Sequence, residues 1–149
     1  MMRAALAASV MVLAGCVTGY HAIDPTGGYS EMQLNTNTFQ VRFVGNMNSD
    51  PGLVARLVLR RCAEITLEHG RRYFLIQQES RAAWETASDA QATMTILDAA
   101  EAPPQAADAA VVVRETDLAA GGQLSRAARE TLAKLGLAPA PAPAPASVH

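Results

Sequence analysis

Aromatic residues are scarce, 5% of the 149 residues, with one Trp, three Tyr and three Phe. Half of the chain is hydrophobic, but much of that is Ala, so any core is thin and built from Val, Leu, Ile and a few rings. Cations are not in excess: 12 Lys and Arg face 14 Asp and Glu, a net charge of -2. This balance lacks the basic footprint that a phosphate backbone demands and excludes nucleic acid as the main partner. No apolar run reaches the roughly 20 residues that cross a bilayer core. The length admits one ordinary domain.

The most specific pattern lies at the start. Met1-Met2-Arg3 is a short basic segment, and Ala4 to Ala14 is an uncharged apolar run of eleven residues. It ends in Leu13-Ala14-Gly15-Cys16, the pattern of a bacterial lipobox. Small residues are needed there because the Gly15–Cys16 bond must enter a narrow protease site beside the membrane. Cysteine is needed because its sulfur takes the lipid. The sequence thus predicts a signal peptide over 1–15, cleavage between Gly15 and Cys16, and lipidation of Cys16. By resemblance to the lipoproteins of diderm bacteria, Cys16 would carry three acyl chains, which together anchor durably where one does so marginally. By resemblance to lipoproteins with enterobacterial-type sorting, in which an Asp after the cysteine retains the protein in the inner membrane, Val17 implies the periplasmic face of the outer membrane.

Residues 16–37 are polar and rich in turn formers, and read as an acylated N-terminus with a flexible tether holding the domain off the membrane. A globular domain is expected over 38–136. Within it, Phe39, Val41 and Phe43 alternate with Gln40 and Arg42, a half-buried strand over 39–44. Asp50 is a good N-cap, Pro51 suits the first helical position and Gly70 the C′ position, which predicts a helix over 50–69. Strand 72–79 would complete a β-α-β unit, its strands parallel if they share a sheet. Ser80 to Ala90, around Trp84, reads as a loop, 92–97 as a third strand and 109–115, with Val111-Val112-Val113, as a fourth. A second amphipathic helix is expected over 125–135, ended by Gly136. The resulting fold class is α+β, with α/β as the alternative: one sheet of three or four strands packed by two helices. From 137 onward, Ala-Pro alternation predicts a disordered, extended tail.

On the long helix, Val54, Val58, Leu59, Cys62, Ile65 and His69 fall on one broad side and Arg56, Arg60, Arg61, Glu64 and Glu68 on the other. The second side reads as a solvated salt-bridge face, with Arg60–Glu64 and Glu68–Arg72 as pairs four residues apart. Cys62 has no partner once Cys16 is lipidated. Its central apolar position predicts a buried, inert thiol.

Gly28-Tyr29-Ser30-Glu31, Phe39-Gln-Val-Arg-Phe-Val-Gly-Asn46 and Ala63-Glu-Ile-Thr-Leu-Glu-His-Gly-Arg-Arg-Tyr-Phe74 resemble a family of small proteobacterial envelope lipoproteins. The match covers about 28–80 well and 92–136 loosely. Cys62 stands where that pattern has a small alanine. The resemblance implies class and location and carries no mechanism.

Motifs for chemistry are sparse. Cys62 and His69 lie seven residues apart, about 10 Å along a helix axis, too far for a nucleophile and its base. His21 and His149 stand apart from them, and no CxxC or HxxxH marks a metal site. Asp98, Glu101, Asp108, Glu115 and Asp117 lack calcium-loop spacing. Gly27-Gly28-Tyr29 lacks a phosphate-loop continuation, and Ser80 and Ser125 lack a glycine elbow. The expectation is therefore no catalytic, metal or cofactor residue. The expected partners are the membrane, reached through Cys16, and another envelope protein. The alternative is a periplasmic ligand-binding or enzymatic domain, which a pocket of convergent polar groups would favour.

Overall fold

A computed structural model describes residues 20–46, 48–83, 88–120 and 123–137. Five strands form one sheet: β1 (Gly28–Gln33), β2 (Thr38–Val44), β3 (Tyr73–Ala83), β4 (Ser88–Leu97) and β5 (Ala107–Asp108). Three helices accompany it: α1 (Pro51–Glu68), α2 (Ala109–Ala120) and α3 (Arg126–Lys134). The strand order is β1-β2-β4-β3-β5, with every neighbouring pair antiparallel. The fold is a small α+β fold with one strand and one helix more than the sequence reading allowed.

Local chemistry explains the long helix. Asp50 accepts a hydrogen bond from the Leu53 N–H at 2.8 Å, and Pro51 opens the first turn. At the other end Gly70 takes a φ of 71°. This lets the N–H groups of Gly70 and Arg71 reach back to the carbonyls of Leu67 and Thr66, a Schellman closure. α3 repeats the scheme, with Ser125 capping its start and Gly136 at φ 69° closing its end.

β2 and β3 are parallel to each other, as the β-α-β reading required, but they do not touch. β4 runs between them, antiparallel to both. Phe39, Val41 and Phe43 from β2, Phe74 from β3, and Ala90, Ala92, Met94 and Ile96 from β4 form the covered face. α1 lies on it, and α2 and α3 pack against α1.

Four readings are corrected. Residues 28–33, placed in the tether, form β1 and pair with β2 from Gly28↔Val44 to Gln33↔Phe39. Residues 109–115, read as a strand, lie in α2. Their three valines suit a strand locally, yet Ala109, Ala110, Val113 and Thr116 bury one helical stripe. The presumed loop 80–90 is mostly strand, since β3 runs to Ala83 and β4 starts at Ser88. Trp84 falls outside the described residues, as do Gly15, Cys16, His149 and the Ala-Pro tail. The fourth correction concerns the polar side of α1.

Candidate functional site

Twelve of the eighteen residues of α1 are buried, including Arg60, Arg61 and Glu64. Of the side read as solvated, Arg56 is exposed and Glu68 half-buried, but Arg60, Arg61 and Glu64 are covered, because residues 20–31 fold back across them. Arg60 has 0% of its surface exposed and Glu64 only 4%. Buried ions persist only when paired and hydrogen-bonded. Here the Nε of Arg60 donates to Oε1 of Glu64 at 2.9 Å, and Nη1 of Arg61 donates to Oε2 at 3.1 Å. The hydroxyl of Tyr20 donates to the same Oε2 at 2.5 Å. Arg61 reaches further, to Glu31 through Nε at 2.5 Å and Nη2 at 2.8 Å, and to Glu68 at 3.3 Å.

Rings complete the cluster. Tyr20 stacks on Phe43 with centroids 6.4 Å apart and meets Tyr29 at 5.1 Å. Arg60 lies over the Tyr20 ring and Arg61 over Tyr29, at 5.3 Å and 4.8 Å. Weakly hydrated, planar guanidinium groups suit such stacking better than an ammonium would.

The segment that carries Tyr20 is held by its backbone. Tyr29 donates to the His21 carbonyl at 2.8 Å and Ile23 donates to the Tyr29 carbonyl at 2.7 Å. Gly28, at φ 115°, is required at this crossing. A Cβ there would stand 2.6 Å from the His21 carbonyl oxygen.

Two groups here could in principle act as nucleophiles. Burial, then the charge of Glu64, push the Tyr20 phenol well above its ordinary range and keep it protonated. Burial pushes the Cys62 thiol up to about 12. Burial opposes the charge of Arg61, but Glu31 and Glu68 outweigh it and hold the guanidinium above its usual value. Among the described residues, every buried side-chain nitrogen or oxygen has a partner. The cluster is a saturated tie between the segment and α1.

The remaining sequence candidates disperse. Cys62 is fully buried and free, as its apolar position predicted. His69 ends the helix with its ring 4.9 Å from that of Phe39. The Arg60–Glu64 pair forms, but inside the protein. The Glu68–Arg72 pair does not form: Glu68 joins Arg61, and Arg72 binds Asp108 at 2.9 and 2.7 Å. No group of three or more His, Cys, Asp or Glu among the described residues could hold a metal ion.

The sequence did carry a signal for the buried ions. Leu57, Arg60, Glu64 and Leu67 fall at i, i+3, i+7 and i+10, so two leucines share the side of the charges. Both are buried. Two tyrosines in an otherwise polar N-terminal segment supply the lid.

A second feature lies on the uncovered sheet face. Ser30, Glu31, Met32, Gln40, Arg42 and Gln91 line a shallow depression of about 250 Å³. Arg42 there is already bound by Asp89. Among the described residues no helix is long and apolar enough to cross a membrane. Compared with family models, curated proteins and solved structures, the chain matches none of them.

Proposed function

We propose that the chain is a lipid-anchored lipoprotein of the bacterial envelope, held at the periplasmic face of the outer membrane, whose α+β domain binds or braces a neighbouring envelope component without catalysis. The observation that carries this reading is Leu13-Ala14-Gly15-Cys16 placed directly behind a basic start and an eleven-residue apolar run. The resemblance of residues 28–80 to small proteobacterial envelope lipoproteins agrees with it. A protonated phenol, an inert thiol and a saturated ion cluster support a binding or bracing role over an enzymatic one.

Replacing Cys16 tests the anchor. Cys16→Ala abolishes incorporation of labelled fatty acid and either releases the protein from membranes or leaves its signal uncleaved. Lipid label persisting on the variant would overturn the reading. The second reading, a ligand-binding domain, rests on the depression around Gln40, Arg42 and Gln91. Pull-down from crosslinked envelopes separates the two: a reproducible protein partner supports the first, whereas a small molecule copurifying with the domain and lost in Arg42→Ala supports the second.

A further inference from the structure

The anchor residue and the clamped tyrosine are close neighbours in the chain. Four peptide steps separate Cys16 from Tyr20. Even fully extended, that stretch covers at most about 14 Å. Tyr20 itself is held by its stacking on Phe43 and its bond to Glu64, and the next residues are held by Tyr29. The polar residues from 20 onward therefore cannot serve as slack. We infer that the β1 edge of the domain is seated against the surface of the bilayer that holds the acyl chains. This inference rests on lipidation of Cys16.

The chemistry of that edge fits a lipid surface. Ile23, Met32 and Leu34 are about half exposed, and they are three of the five large hydrophobic residues exposed among the described residues. All three lie on β1 or the chain flanking it. Side chains of this kind gain by dipping into the boundary between headgroups and acyl chains. The charge of Glu31 is met by Arg61, and the exposed carboxylate of Asp24 keeps its charge while accepting hydrogen bonds from the N–H and hydroxyl of Thr26. The opposite edge, β5, lies four strand spacings away, roughly 19 Å.

The test uses the full-length acylated protein in phospholipid vesicles containing lipids with a nitroxide on the headgroup. A Cys62→Ala background carries one fluorophore, on Met32→Cys at the β1 edge or on Glu101→Cys in the connection from β4 to β5, the far edge. Position 32 is quenched several-fold more than position 101. Inserting a Gly/Ser spacer of about twelve residues between Thr18 and Gly19, which adds roughly 20 Å of mean reach, brings the ratio toward one without touching the domain. Equal quenching at both positions, with lipid detected on Cys16 by mass, overturns the seating and leaves the anchor intact. Absence of lipid on Cys16 overturns both.

Discussion

Ile65 and Arg60 are both buried on α1, at 2% and 0% exposure, by opposite means. Around Ile65 and Cys62 the helix is buried because apolar volume fills apolar space. Around Arg60 and Glu64 it is buried because each ion finds its counter-ion, with the Tyr20 ring against Arg60 and the Tyr20 hydroxyl on Glu64. The first side tolerates any residue of similar size and shape. The second has no tolerance for losing one member, because the partner left behind is a charge without water. Equal burial therefore does not mean equal sensitivity, and the ionic side is the more fragile of the two.

The largest effect is expected on the ionic side. Arg60→Ala leaves Glu64 short of a partner and costs about 3–5 kcal/mol, where a solvated pair would cost about 0–1 kcal/mol. Denaturant melts of the soluble domain, begun after Cys16, measure it. A loss within the solvated range would mean that the segment from Tyr20 does not cover α1. Replacing Arg60 and Glu64 together by apolar residues of similar volume restores part of the loss, which a purely additive pair would not do.

Ile65→Ala comes next, at about 2–5 kcal/mol, the ordinary range for emptying a packed site. The same melts compare it with Arg60→Ala, and their ranking decides which side of the helix is the more sensitive.

Tyr20→Phe keeps the ring and removes one donor to a buried carboxylate, at a cost of about 1–3 kcal/mol. It also changes the alkaline limb of stability. The folded phenol titrates above its unfolded value of 10.0. Its contribution is therefore complete below about pH 10 and lost as pH rises beyond that. Melts across this range show a shallower decline in Tyr20→Phe. An unchanged decline would mean that Tyr20 is not held by Glu64.

Cys62→Ala is the mildest, on the order of 1 kcal/mol, because little volume is lost. The thiol moves from 9.0 to about 12 on folding, so its contribution fades as pH climbs through that window and the variant loses less stability there. In the native protein Cys62 reacts slowly with a thiol reagent and quickly once unfolded. Fast native labelling would contradict its burial.

How far the sequence alone reached follows the same division. Features written in a few adjacent residues were readable: the Asp50-Pro51 start, the Gly70 and Gly136 stops, the alternation in β2, the apolar side that buries Cys62. Features that depend on distant chain were not. Residues 109–115 look like a strand until α1 offers a surface for their helical stripe. β1 carries Gly, Ser, Glu and Gln, and becomes a strand because β2 supplies its ladder. The cluster at Arg60 needed Tyr20, forty residues upstream, before its charges could be placed inside. Leu57 and Leu67 were the local clue, outweighed by five charges on the same side.

The position of β4 orders events in time. β2 and β3 share no hydrogen bond; each is joined to β4. A chain emerging from its N-terminus therefore has two strands and a helix with nothing between them until Leu97 has appeared. Phe43, Phe74 and the apolar side of α1 stay uncovered over that interval. The central strand is the last long one to arrive, and it arrives through a hairpin, the quickest way to place a strand beside its neighbour. The slow step in assembling this domain is then the docking of the β3–β4 hairpin, through β4, onto β2, and truncations ending before Ser88 leave a helix with no continuous sheet to rest on.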